Sequence, residues 1–157
     1  MKLCEEKKLV PILTSADINA GVDSDSINVK EATRITLLCL FGPSLAGAAG
    51  AILKLFSGAT DGTKTTAMTF RYRYGGAAVK SANADVLGAQ ATSAALQVAT
   101  ATLASRLLVI EVDAADITDG HNWLTLEVGA EADAGQLAVV AVLEPRYASR
   151  AGDTVIG

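Results

Sequence analysis

No stretch of this chain keeps the 3.6-residue apolar spacing of a helix for long. What recurs is a short run of alternating or wholly apolar residues, closed by a turn rich in Gly, Asp or Asn. Such runs lie at Ser26–Lys30, Thr33–Phe41, Ala51–Phe56, Met68–Tyr74, Asp85–Thr92, Ala94–Ala101, Leu107–Val112, Trp123–Val128 and Leu137–Leu143. Between them stand Gly42-Pro43-Ser44, the loop Ser57–Thr63, Gly75-Gly76 and Asp119-Gly120, all compositions that reverse a chain. The Ala-rich run Ala94–Ala101 also admits a helix. With about eight or nine short strands and no βαβ alternation, the pattern predicts an all-β fold: a single β-sandwich of jelly-roll type.

Three segments follow along the chain. Residues 1–25 read as an extended N-terminal arm: Pro11 breaks any helix, and little strand pattern appears before Ile27. Residues 26–148 are expected to form the sandwich, and residues 149–157 a loose polar tail. The arm nevertheless carries Leu9, Val10, Ile12 and Leu13, an apolar segment expected to find a partner. Two strands, Thr33–Phe41 and Leu107–Val112, are apolar on both faces, as at the centre of a sheet.

Composition narrows the function. Half of the 157 residues are hydrophobic and only 19% are charged, so the chain is no disordered segment. That balance, with a mean hydropathy of +0.35, predicts surface covered by something else, hence a homo-oligomer. A net charge of −4 gives no basic field for nucleic acid, and 4% aromatics give few stacking platforms. The apolar run Ile35–Phe41 is far shorter than the about 20 residues a membrane helix needs. The charged start, Met1 to Lys8, has no signal-peptide core, which predicts cytoplasmic synthesis without export. Cys4 and Cys39 make no disulfide framework; Cys39 lies inside a strand-like run and reads as a core thiol.

The chemistry-bearing residues do not assemble into a catalytic motif. His121 is the only histidine, and no Gly-x-Ser-x-Gly elbow surrounds any serine. Asp113, Asp116 and Asp119 are spaced acids, but DAADITDGHN lacks the alternation and closing glutamate of a calcium loop, so capping and turn roles are expected. In Gly58–Thr65 a threonine separates Gly62 from Lys64, which breaks the phosphate-loop spacing. No catalytic residue, metal site or cofactor is expected.

Three further residues suit contacts. In Met68–Tyr74 the residues Phe70, Tyr72 and Tyr74 share one face, and Arg71 and Arg73 the other. If the aromatics face the core, the arginines look outward, suited to carboxylates on a neighbouring chain. Trp123 points away from the face of Leu124, Leu126 and Val128, into a second core layer or an interface.

The stretches DSINVKEATRITLLCLFG, SGATDGTKTTAMTFRYRYGG, LLVIEVDAADITDGHNWLTLEVG and LAVVAVLEPRYA, in this order over most of residues 24–148, resemble small β-sandwich structural proteins of tailed bacteriophages. The ending Arg146-Tyr147-Ala148 is the most distinctive piece; the residues before Asp23 match nothing in that group. The resemblance implies a capsid decoration or cement protein on the virion surface, assembled in the host cytoplasm. It implies the major capsid protein as partner and a homotrimer as the working unit. Neither nucleic acid nor membrane is an expected partner. Two alternatives stand beside this reading. One is a head–tail or tail component; the other, of a different class, is a carbohydrate-binding β-sandwich module using Trp123 and the tyrosines.

Overall fold

The computed structural model describes residues 6–43, 50–98, 103–130, 135–147 and 155–156. Among them twelve strands form two antiparallel sheets packed face to face. The strands are β1 (Lys8–Asp17), β2 (Val22–Asp23), β3 (Ile27–Asn28), β4 (Ala32–Phe41), β5 (Ala51–Gly58), β6 (Thr66–Met68), β7 (Phe70–Tyr74), β8 (Ala91–Ser93), β9 (Leu96–Val98), β10 (Leu107–Asp113), β11 (Trp123–Val128) and β12 (Gln136–Pro145). Sheet A runs β1-β12-β4-β10-β7-β8. Sheet B runs β2-β11-β5-β6, with β3 also on β11 and β9 also on β5.

The pairing is nested. First strand pairs with last, β2 and β3 with β11, β4 with β10, and β5 with β6 and β9. A hairpin wound across two sheets in this way is the jelly-roll order; β7 and β8 extend sheet A beyond β10. The core is built by period-2 alternation from both sheets. Ile35, Leu37, Cys39 and Phe41 of β4 and Leu108, Ile110 and Val112 of β10 meet Leu53 and Leu55 of β5 and Leu124, Leu126 and Val128 of β11. Burial pushes the Cys39 thiol up to about 12, so it stays protonated and inert among these side chains.

Four expectations change. The segment read as an arm is, from Lys8 on, part of the sandwich: β1 is the edge strand of sheet A, paired along β12. Val10 and Ile12 are only 3% and 4% exposed. The apolar neighbours Leu9 and Leu13 hide that alternation, because the register shifts between Pro11 and Leu13. Pro11 marks the strand as an edge, where a missing N–H is tolerated and foreign strands are discouraged. Residues 1–5 lie outside the described residues.

Met68–Tyr74 is two strands, not one. Met68 ends β6 in sheet B and Phe70 begins β7 in sheet A, the chain crossing at Thr69. Of the run Asp85–Thr92 only Ala91 and Thr92 lie in a strand, with an isolated bridge from Leu87 to Gly75 before them, and Ala94–Ala101 yields the three-residue β9, its last residues lying outside those described. At the tail, Asn28 N–H donates to the Val155 carbonyl at 2.7 Å and Ile156 bridges Ile27, so these two residues are tied to the sandwich. Residues 148–154 and 157 lie outside the described residues.

Candidate interaction surface

In a two-layer sandwich every strand turns one face outward, and alternation then demands polar residues there. Sheet B obeys. The outward residues of β11 are Trp123, Thr125 and Glu127, and the chain itself covers them. The loop between β5 and β6 folds back over this face: Gly62 N–H donates to Ser26 Oγ at 3.1 Å, and Ser26 Oγ meets Thr125 Oγ1 at 2.7 Å. Lys64 Nζ reaches Asp23 at 2.8 Å and Glu127 at 2.6 Å, and lies 5.9 Å from the centre of the Phe56 ring. Bonds first to Asp23 and then to Glu127 raise the Lys64 pKa above its ordinary value. Gly58 is required beneath the loop, because a Cβ there would stand 2.2 Å from the Thr63 carbonyl oxygen.

Sheet A does not obey. Register places Pro11, Val140, Leu38 and Val109 side by side across β1, β12, β4 and β10 on its outer face. Ala138, Leu40 and Leu107 form the next row, and Leu9 with Val142 the row on the other side. Leu40 is 47% exposed and Leu9 41%; Leu38, Leu107, Val140 and Val142 are half-buried, and Val109 is only 8% exposed. These are the strands whose two apolar faces read, in the sequence, as the centre of a sheet. They are central, but only one of their faces meets the core.

The other end of the same face is charged and internally paired. Asp113 accepts from Arg34 Nε at 3.2 Å and from Arg71 Nη2, and Lys7 Nζ meets Glu144 at 2.5 Å. Arg71 chiefly, then Arg34, holds the Asp113 carboxyl below its ordinary value, and Asp113 raises Arg71 in return. Asp113 therefore does not cap the 3-10 turn Ala114–Asp116 that follows it; no side-chain cap bond forms there.

The residues singled out in the sequence divide accordingly. Val10 and Ile12 belong to the core and cannot meet a partner. Leu9 lies on the outer face, and Leu13 is half-buried against the core. Phe70 is buried and Tyr72 and Tyr74 pack on the core, so Arg71 and Arg73 do face outward. Arg71 has its carboxylate within its own chain, on Asp113, not on a neighbour. Arg73 donates to the Gly88 carbonyl at 3.3 Å and to Gln90 at 3.2 Å. Trp123 is half-buried on the outer side of sheet B, opposite Gly58.

His121 is not a free turn residue. Its Nδ1 lies 2.9 Å from Ser57 Oγ, whose residue is fully buried, so the pair closes the end of the core. Asp116 and Asp119 do not converge with Asp113; among the described residues no group of three His, Cys, Asp or Glu side chains could hold a metal ion. No helix of the described residues is long and apolar enough to cross a membrane.

One apolar surface escaped the sequence reading. Between β7 and β8 the chain makes an excursion, residues 75–90, in which Val79, Val86 and Leu87 are exposed. It is locally fixed: Gly76 N–H donates to the Val86 carbonyl, Val79 N–H to that of Ser105 and Gly88 N–H to that of Tyr74, at 2.7, 2.7 and 2.8 Å. Lys80, Asn83 and Ser105, the three non-glycine residues of positive φ among those described, all lie in or against it. The sequence reads part of it, Asp85–Thr92, as a modest strand.

No protein-family model matches the chain, and no curated protein sequence matches it. Among solved structures the fold is similar to the crystal structure of SPBc2 prophage-derived protein YomS, with a TM-score of 0.48 and 11% sequence identity over 87% of this chain and 92% of that one.

Proposed function

We propose that the chain is a non-enzymatic structural protein of a tailed-phage virion, a decoration or cement protein that works as a homotrimer and bridges major capsid subunits on the shell surface. The observation that carries the structural part of this reading is the outer face of sheet A. Its apolar half exposes Leu40 and Leu9 and leaves Leu38, Leu107, Val140 and Val142 half-buried, whereas a loop of the chain covers the Thr125 end of sheet B. A contiguous apolar patch of this kind marks a protein–protein joint. The phage part rests on the order and spacing of the four sequence stretches that resemble small virion β-sandwiches.

The mechanism follows from multiplicity. Each copy contributes a modest joint, and a lattice that opens must break many of them together, so avidity and not single-site affinity holds the shell. The test is addition of purified protein to particles that lack it. Saturable binding to the shell at a fixed ratio to the capsid protein, with higher resistance of the shell to heat, is the expected result. Binding at the tail or portal vertex alone would favour the head–tail alternative, and no binding to any particle would overturn both.

A further inference from the structure

We infer that the apolar outer face of sheet A and the excursion of residues 75–90 are the two halves of one heterologous joint: the excursion of one copy covers the sheet face of the next, and the copies close into a ring. The inference rests on reading that face as a joint, and does not depend on which virion component the ring contacts.

Area argues for this arrangement. The apolar half of the face holds nine positions, on strands about 4.8 Å apart and in rows about 6.8 Å apart, a flat footprint of roughly 300 Å2. A stable interface buries about 800 Å2 on each partner. Stacking two copies face to face would use this patch once per copy, fall well short, and leave Val79, Val86 and Leu87 in water. In a ring each copy gives its face to one neighbour and its excursion to the other, so both apolar surfaces are covered and each copy is held by two modest joints.

Charge and order agree. The excursion carries one base, Lys80, and one acid, Asp85, so docking it on an uncharged patch leaves no net charge to bury. Its backbone is already fixed by the bonds to Ser105, Tyr74 and within itself, so docking costs little conformational entropy. Position favours closure. The excursion leaves sheet A from Tyr74, which pairs with Leu108, while the apolar rows lie on β10 and the strands beyond it. The two surfaces are neighbours along one sheet and not opposite poles of the molecule. A heterologous contact closes into a ring when its rotation returns to the start and otherwise extends into a filament; neighbouring surfaces give the large rotation per copy that a small ring requires.

The experiment uses the full chain with Cys4→Ser, since Cys39 is buried. Leu40→Cys and Val86→Cys are made separately and treated with a short bismaleimide, alone and mixed. Cross-linked pairs that need the mixture are the expected result. Self-linking of Leu40→Cys alone would show a face-to-face stack and overturn the inference. An oligomer that links in neither case would overturn it as well. In parallel, sedimentation equilibrium compares Leu40→Asp and Val86→Asp with the parent; each should weaken self-association roughly tenfold or more. Loss with Leu40→Asp but not Val86→Asp would keep the face as a joint and reject the excursion as its occupant. A parent that is monomeric at all concentrations would reject a second copy altogether, and particle binding by Leu40→Asp would then decide whether the face is a joint.

Discussion

The two outer faces of this sandwich began from the same problem and reached opposite solutions. On sheet B the outward residues alternate with the core residues as Trp123, Thr125 and Glu127, and a loop of the same chain is clamped over them by Ser26 and Lys64. On sheet A the outward positions of β4, β10 and β12 are Leu38, Leu40, Leu107, Val109, Val140 and Val142, and only the charged end, around Asp113, satisfies itself. The chain covers one end of the first face, leaving Ile52 exposed at the other, while the apolar half of the second face carries Leu40 and Leu9 exposed. The difference teaches that an apolar run on both faces of a strand does not have to mean burial in one core. Here one face meets the core and the other is a half-exposed outer face.

The contrast within β4 is the strongest way to break this comparison. Leu37 points inward and is fully buried; Leu40 points outward. Leu37→Ala should cost the free chain about 2–5 kcal/mol. Leu40→Ala should cost well under about 1.5 kcal/mol in the dilute monomer and show its effect in self-association or shell binding. Denaturant melts at low concentration would read both, and equal losses at the two positions would mean that Leu40 is core and the face is not open.

Next in size is the seal on sheet B. Gly58→Ala puts a methyl group where Thr63 backbone already stands, and the loop must shift; the expected cost is about 1–3 kcal/mol. Hydrogen exchange should then quicken at Gly62 and Thr65, whose N–H groups are held by Ser26 and Ser57. Unchanged exchange with unchanged stability would show that the loop is not a closed cover.

A smaller effect belongs to Lys64. Replacing it by Met should cost at most about 1 kcal/mol, the range of a solvated ion-pair network. Its raised pKa gives the sign with pH: the contribution is whole below the unfolded value of about 10.4 and fades as pH rises through the folded value. Lys64→Met should therefore flatten the alkaline limb of the stability profile.

The smallest effect sits at the charged end of sheet A. The lowered pKa of Asp113 supplies stability that is present above the unfolded carboxylate value of about 3.9 and is lost as pH falls through the folded value. Asp113→Asn should reduce the steepness of the acid limb and change little at neutral pH. Arg71→Ala with Arg73→Ala should likewise leave the melting temperature nearly intact, since both side chains are outward; a large fall would place them in the fold and not on its surface.

Much of sheet B was legible because its strands follow the period of two: Leu124, Leu126 and Val128 declare the inner face of β11, and Met68 announces a core position. β1 was not legible, since a register shift next to Pro11 puts Leu9 and Leu13 beside Val10 and Ile12 and erases the alternation. The excursion was missed because Asp85–Thr92 read as one modest strand, whereas only its last two residues enter β8 and Leu87 makes a single bridge. The candidate surface was half visible. The doubly apolar β4 and β10 were read correctly as strands central to a sheet, but composition does not say which face the core takes. Arg71 was placed on the outside correctly, and its partner Asp113 was out of reach of the sequence, because pairing of β4, β7 and β10 is what brings the three residues together.

The central claim is that one outer face is covered in the working assembly and the other is not. Carbene footprinting of the free chain and of the chain bound in its oligomer or on particles measures this on both faces at once. The account predicts strong protection at Leu40, Val140 and Leu107 on assembly, with labelling at Phe56 and Trp123 on sheet B unchanged. Equal labelling of Leu40 and Val140 in the free and assembled states would contradict it.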